Sequence, residues 1–325
     1  MALREFEVLS IEEIDKIESP GWLIHEIVPA CGLVQVFGRE GEGKTFLTLD
    51  MGLRIAAGMP WLGNRATCAG KVVYVAGEGV PGVKKRIAAW RAQYGVERER
   101  LKNFWVVPES VQLGEEPHVQ GVVESIERVT GSAQADLIVF DTQARCTAGI
   151  DENSAEEMGV VVASLDWLRL RTGATILLVH HSPYKAERGR GSSTVAGAID
   201  TAIGIRKKDH ILTLSCGKQK DWEEFEKFQV GLLPLGDSAV VVEMASAGFL
   251  VEEALTPEDH KFLEFLGQRG TSRCPDLLRE SKIPKSTFYR SVAKLKQLKM
   301  IEDLGGNLIG ISAPPARHLR LAKPV

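Results

Sequence analysis

Runs rich in valine, isoleucine and leucine recur along the first part of the chain, separated by stretches whose apolar residues follow helical spacing. GLVQVFG (32–38) precedes a helical pattern over 43–57, KVVYVAGE (71–78) one over 80–93, and NFWVV (103–107) one over 118–130. DLIVFD (136–141) precedes a helix over 154–172, and ATILLVHH (174–181) comes next. Strands apolar on both faces and alternating with helices predict an α/β fold with a mainly parallel sheet covered on both sides. The pattern then changes: AIDTAIGIRKK, HILTLSCGKQK and KFQVGLLPL read as consecutive strands, so antiparallel additions to the sheet are expected.

A second unit opens at LTPEDHKFLEFLGQRG. Thr256 suits an N-cap, Pro257 the first helical position and Asp259 the first turn. SRCPDLLRES and PKSTFYRSVAKLKQLKM supply two more helices, and IEDLGGNLIGIS has two short apolar runs around Gly305 and Gly306, a hairpin signal. Three helices and a hairpin are the order of a winged helix. The expected layout is a core over 1–245, a linker over 246–255, a winged helix over 256–313 and a loose tail over 314–325. On the third helix, periodicity turns Ile283, Phe288, Val292, Leu295 and Leu298 inward. It sets Arg290 and Lys294, at i and i+4, together on another face, near Ser286, Thr287 and Tyr289, where a recognition helix meets duplex DNA. Winged helices also bind proteins or each other.

Charge sharpens this division. From Thr256 onward there are 13 Lys+Arg and 7 Asp+Glu, a balance of +6, against a whole-chain balance of −3. A basic segment behind an acidic body points to nucleic acid. At 44% hydrophobic and 26% charged, the 325 residues have an ordinary globular composition, and no apolar run approaches the ~20 residues of a membrane span. The charged opening MALREFEVLSIEEIDKIE lacks a signal peptide's apolar stretch. Cys31, Cys68, Cys146, Cys216 and Cys274 are scattered and never spaced C-x-x-C, so neither a disulfide framework nor a zinc site is expected. These features predict a cytoplasmic protein without membrane contact.

Between the first strand and helix lies GREGEGKT (38–45). Gly38, Gly43, Lys44 and Thr45 fit G-x-x-x-x-G-K-[ST], with Gly41 inside the loop. Backbone N–H groups of such a loop face phosphate oxygens, and the helix N-terminus adds positive potential. Lys44 would reach the β- and γ-phosphates of ATP, and Thr45 would ligate Mg²⁺, with Phe46 next in the helix. Glu40 and Glu42 are odd company for phosphate and are expected to point outward. Asp141, at the tip of a buried strand, suits a carboxylate that holds Mg²⁺. Glu78 ends its run the same way and suits the base that deprotonates water, ahead of Asp136 and Glu109. His180 and His181 end another buried strand. Adjacent strand residues face opposite ways, so one of the two would sense the γ-phosphate.

Together PGWLIHEIVP…GLVQVFGREGEGKT, AAGMPWLG, GKVVYVAGEG, LIVFDTQARCTAGIDENSAEEMG, TGATILLVHHSPYKAERGRGSSTVAGAIDTAIGI and SCGKQKDWE resemble the RepA-type hexameric replicative helicases, within the RecA/DnaB-like P-loop ATPases. The resemblance covers roughly residues 20–235. It implies a RecA-like core, a homo-oligomeric ring of six subunits, ATP between subunits and single-stranded DNA in the channel. By position, Lys44 and Thr45 become the Walker A pair, Asp141 the Walker B aspartate, Glu78 the catalytic glutamate and the histidine pair the sensor. A cation supplied to the neighbouring site would be Arg206, Lys218 or Lys220. GKQK resembles the K-x-R hairpin of DnaB-like motors with lysine in place of arginine, which leaves that choice open. The channel loops would contribute Arg145 and then Lys185, Arg188 and Arg190, with Tyr184 for stacking. A RecA-like filament-forming recombinase or annealing partner, and a nucleotide-switched DNA-binding regulator, are the alternatives.

Overall fold

The computed structural model describes residues 8–17, 21–62, 65–181, 193–244, 256–297 and 301–311. The expectations for Tyr184, Lys185, Arg188 and Arg190, the 246–255 linker, Leu298 and the 314–325 tail lie outside these residues.

Along the first unit come α1 (Ile11–Ile14), β1 (Trp22–Ile24), β2 (Val28–Pro29), β3 (Leu33–Gly38), α2 (Lys44–Ala57), β4 (Val72–Ala76), α3 (Val80–Tyr94) and β5 (Phe104–Val107). They are followed by α4 (Glu116–Thr130), β6 (Leu137–Asp141), α5 (Gln143–Cys146), α6 (Ala155–Thr172), β7 (Thr175–His181) and α7 (Ser193–Ala198). Four further strands follow, β8 (Thr201–Lys208), β9 (Ile211–Gln219), β10 (Phe228–Leu235) and β11 (Ser238–Glu243). Nine described strands form one sheet in the order β11-β10-β9-β8-β3-β7-β6-β4-β5. From β8 to β5 neighbours run parallel. β9, β10 and β11 are added antiparallel.

Strand parity explains the continuous apolar runs. Val34 and Val36, Val72 and Tyr74, Leu137 and Val139, and Leu177 and Val179 pack on the α2 side with Leu47, Met51 and Ile55. Their sequence neighbours Leu33, Val73, Val75, Ile138, Phe140, Ile176 and Leu178 pack on the other side with Val119, Val123, Leu165 and Leu168 of α4 and α6. Both faces of each strand are therefore buried in apolar contact, which is the main stabilising term for such a sheet. The β1–β2 hairpin and β11 are additions to the predicted order. A two-residue turn, Gly236 and Asp237, joins β10 to β11, and Gly236 has the positive φ (56°) that such hairpins need.

The chain divides between Glu243 and Met244, two residues before the expected end of the core. The second unit holds α8 (Pro257–Arg269), β12 (Ser272–Arg273), α9 (Cys274–Ser281), α10 (Lys285–Gln297), β13 (Ile301–Gly305) and β14 (Leu308–Ile311). Its strands form a small sheet ordered β12-β14-β13. A separate core gathers Phe262, Leu266, Leu277, Ile283, Phe288, Val292, Leu295 and Ile309.

Thr256 caps α8 and forms a reciprocal box with Asp259. Asp259 is buried, and Lys294 donates to its Oδ2 at 2.6 Å. Lys294, expected on an open face beside Arg290, is thus engaged within the unit. A buried carboxylate needs a cation, so Lys294 turns into the unit while Arg290 and Tyr289 stay exposed. Burial alone would raise the Asp259 carboxyl, but hydrogen bonds from Lys294, Ser291 and the Thr256 cap hold it at about 2. A depressed carboxyl stabilises the fold above its unfolded pKa, and that contribution is lost as pH falls through about 2. Asp259→Asn should therefore lower the opening free energy of α8 by about 2 kcal/mol at pH 6 and by less at pH 3. Hydrogen exchange at α8 amides in the full chain checks this. An equal loss at both pH values would assign the effect to packing.

Candidate nucleotide site

The loop after β3 owes its path to glycine. Gly41 and Gly43 have φ of 75° and 87°, in the left-handed region. At Gly38 a Cβ would stand 2.6 Å from the Ile205 carbonyl oxygen of β8, so the strand pair leaves no room for a side chain. Gly43 caps α2 and offers no side-chain bond to its first turn. The first amides of a 14-residue helix thus face the loop uncapped, a site suited to an anion.

Lys44 is buried in this cradle. Its Nζ donates to the carbonyl oxygens of Gly38 at 2.8 Å and Arg39 at 2.6 Å, and stands 3.0 Å from His181 Nδ1. Burial pulls the Lys44 pKa down, against the opposing charges of Glu42, Asp141, Glu78 and Glu40. Glu40 is exposed, as expected. Glu42 is not: its carboxylate turns back across the loop and accepts the Arg39 backbone N–H at 3.2 Å. A turn this tight leaves loop amides in need of acceptors, and Glu42 supplies one.

Sheet register brings the other groups to Lys44. Gly38 pairs with His181, Val179 with Asp141, and Asp141 with Ala76, so the ends of β3 and β7 are level with each other and reach two residues past the ends of β6 and β4. Parity then selects the face. Tyr74, Asp141 and His181 share the α2 side with Val72, Val139 and Val179. Of the two histidines, His181 is the one on the loop; its Nε2 lies 3.5 Å from Glu78 Oε1, so it stands between Lys44 and Glu78. His180 is buried on the opposite parity. Thr142 donates to Glu78 Oε1 at 3.3 Å.

Asp141 is buried, and its Oδ2 accepts a 2.6 Å hydrogen bond from Tyr74. Its Oδ1 is buried with no hydrogen-bond partner among the described residues. Burial pushes the Asp141 carboxyl up, opposed by Tyr74 and by the nearby Thr45 hydroxyl. Burial and the adjacent Asp141 push the Tyr74 hydroxyl well above its ordinary value, so it keeps its proton and donates. An open carboxylate oxygen beside a threonine hydroxyl is a hard-oxygen donor set that fits Mg²⁺. Among the described residues no group of three or more His, Cys, Asp or Glu side chains is placed to hold a metal ion by itself.

The remaining candidates fall elsewhere. Arg145 is exposed on α5, and its Cβ lies 2.9 Å from the Cβ position of Gly77, beside Glu78. Arg206 is exposed on β8 just beyond Ile205. Lys218 and Lys220 flank Gln219, which pairs with Thr201, itself paired with Val34 at the start of β3. They therefore sit at the sheet end away from this chain's own loop. Lys218 donates to Ala196 and Gly197 carbonyls at 3.0 and 3.1 Å, and Lys220 faces Asp200 at 3.8 Å. Phe46 packs on the core with the Arg86 guanidinium 4.8 Å above its ring. Arg86 also bears on the Asp141 carboxyl. Tyr74 and Arg86 were not singled out from sequence. Tyr74 was legible, since it shares strand parity with Glu78; Arg86 carries no comparable signal.

Among the described residues no helix is long and apolar enough to cross a membrane. No curated protein matches the chain. A family model described as an AAA domain matches residues 2–187, more than half of the 325, and this agrees with the glycine loop, the adjacent strand tips and the mainly parallel sheet. The chain belongs to the AAA-domain P-loop ATPases, in the RecA/DnaB-like branch.

Proposed function

We propose that this ATPase is a DNA motor of the ring-forming RepA/DnaB-like helicase kind, hydrolysing ATP between neighbouring copies. The observation that carries the reading is the convergence of Lys44, Thr45, Asp141, Glu78 and His181 at adjacent strand tips. Lys44 and the α2 amides hold the phosphates. Thr45 and Asp141 would hold Mg²⁺, which supplies charge neutralisation on the phosphates when bound. Glu78 takes the proton of the attacking water, and His181 reports the γ-phosphate to it from between Glu78 and Lys44.

A cation from a neighbour would complete the charge stabilisation. Lys218 and Lys220 suit that role better than Arg206, because they lie away from their own loop and reach a nucleotide only across a subunit boundary. Single-stranded DNA would meet Arg145 and the loop bearing Lys185, Arg188 and Arg190. The second unit reads as a winged helix. Arg290 and Tyr289 on α10 offer its exposed DNA face, while Lys294 serves the fold.

Hydrolysis should require Mg²⁺ and rise on adding single-stranded DNA, with the stimulation fading as salt increases because phosphate contacts release counterions. Replacing Lys185, Arg188 and Arg190 together should abolish stimulation and leave basal hydrolysis intact. Basal turnover that DNA never stimulates, even at low salt, would leave an ATPase and remove the motor. Mass measurement with an ATP analogue and DNA separates a closed ring from a filament.

A further inference from the structure

We propose that Tyr74 is a positioning residue for the cation site, holding the Asp141 carboxylate so that Oδ1 alone faces the loop. The inference rests on the metal-bound ATPase reading above and adds a residue to it. Tyr74 is fully buried at the middle of β4, in the strand beside β6. Its hydroxyl has one proton, which goes to Asp141 Oδ2 at 2.6 Å. The Tyr74 oxygen is left to accept, and Thr48 Oγ1 stands 3.0 Å from it. Thr48 lies on α2 one turn beyond Lys44, and its hydroxyl is also 3.2 Å from the Lys44 carbonyl oxygen. The chain of bonds therefore runs from α2, through Tyr74, to the carboxylate.

That chain links the two elements that would supply the protein's cation ligands, Thr45 on α2 and Asp141 on β6. It also occupies one carboxylate oxygen and leaves the other buried with no hydrogen-bond partner among the described residues. A carboxylate free to rotate would offer both oxygens to the cation and the loop in turn. Groups hydrogen-bonded behind a metal ligand fix its orientation, and their loss typically costs about 10–100-fold in metal affinity.

Tyr74→Phe keeps the ring and its stacking on Phe104, at 6.2 Å between centroids, and removes only the hydroxyl. Binding of a fluorescent ATP analogue should stay within about two-fold of wild type in EDTA, because Lys44 and the loop amides are untouched. Mn²⁺ affinity of the nucleotide-loaded protein, read by electron paramagnetic resonance, should fall about ten-fold. The Mg²⁺ concentration for half-maximal hydrolysis should rise in step, with activity recovered at high Mg²⁺. Thr48→Val removes the link to α2 but keeps the Tyr74–Asp141 bond, and should show a smaller shift in the same direction.

Wild-type Mn²⁺ affinity in Tyr74→Phe would overturn the inference. So would an equal loss of nucleotide binding with and without metal, which marks a structural role only. Should the wild-type protein itself show no metal-dependent nucleotide binding, the underlying reading of Asp141 fails instead, a result distinct from either.

Discussion

Glu78→Gln is expected to bind ATP as wild type does and to hydrolyse it at least about 10²-fold more slowly, the scale of lost general-base help. The substitution keeps the shape and the bond from Thr142, which an amide oxygen accepts as well as a carboxylate. It removes the basic oxygen and the charge that His181 faces at 3.5 Å. Glu78 is half exposed, so it can meet water, while Asp141 is buried and held by Tyr74. These two acids of one site thus differ in what they can do: one is open to a water molecule, the other is buried and held in place. Asp136 is the control. It sits at the far end of β6's approach, accepting the Lys71 backbone N–H at 2.6 Å, so Asp136→Asn should leave the chemical step alone. Single-turnover hydrolysis and equilibrium binding on the same preparations separate the two steps. Full turnover in Glu78→Gln would move the base to another residue.

The contrast between these acids could be read only in part from sequence. Strand runs ending in Glu78, Asp141 and His181 were visible, because a buried parallel sheet needs apolar residues on both faces and the break at the tip stands out. The choice between His180 and His181 needed register. β7 pairs with β3 so that His181 is level with Gly38, and no local pattern in either strand announces that. Glu42 shows the opposite case. Charge alone argued that it should avoid the loop, but the tight turn leaves an amide at Arg39 that the carboxylate satisfies. The partner of Lys294 was out of reach for a related reason. Helical periodicity finds the apolar face, yet it cannot see a buried acid on another helix, and Asp259 lies 35 residues away in sequence. The β10–β11 turn was legible and went unread, since Gly236 and Asp237 between two apolar runs are a hairpin signal.

Lys44→Met should abolish tight nucleotide binding while the fold survives. Each charge-assisted hydrogen bond contributes about 1.5–3 kcal/mol, and a lysine reaching two phosphate groups makes at least two, so a loss of at least about 10²-fold in affinity follows. Methionine keeps the unbranched stem that fills the space beneath the loop. Without nucleotide, the ammonium serves the carbonyls of Gly38 and Arg39 and faces His181. Burial depresses its pKa, so holding the charge there is a cost to the folded state that the neighbouring acids offset. Removing it takes away both the desolvation cost and the hydrogen bonds, and the two changes oppose each other in stability. The melting temperature in the absence of nucleotide should therefore move by only a few degrees, whereas the stabilisation that ATP gives wild type should vanish. A large drop in melting temperature without nucleotide would instead make Lys44 a structural clamp of the loop. Retained ATP-dependent stabilisation would mean that the α2 amides hold the phosphates without it.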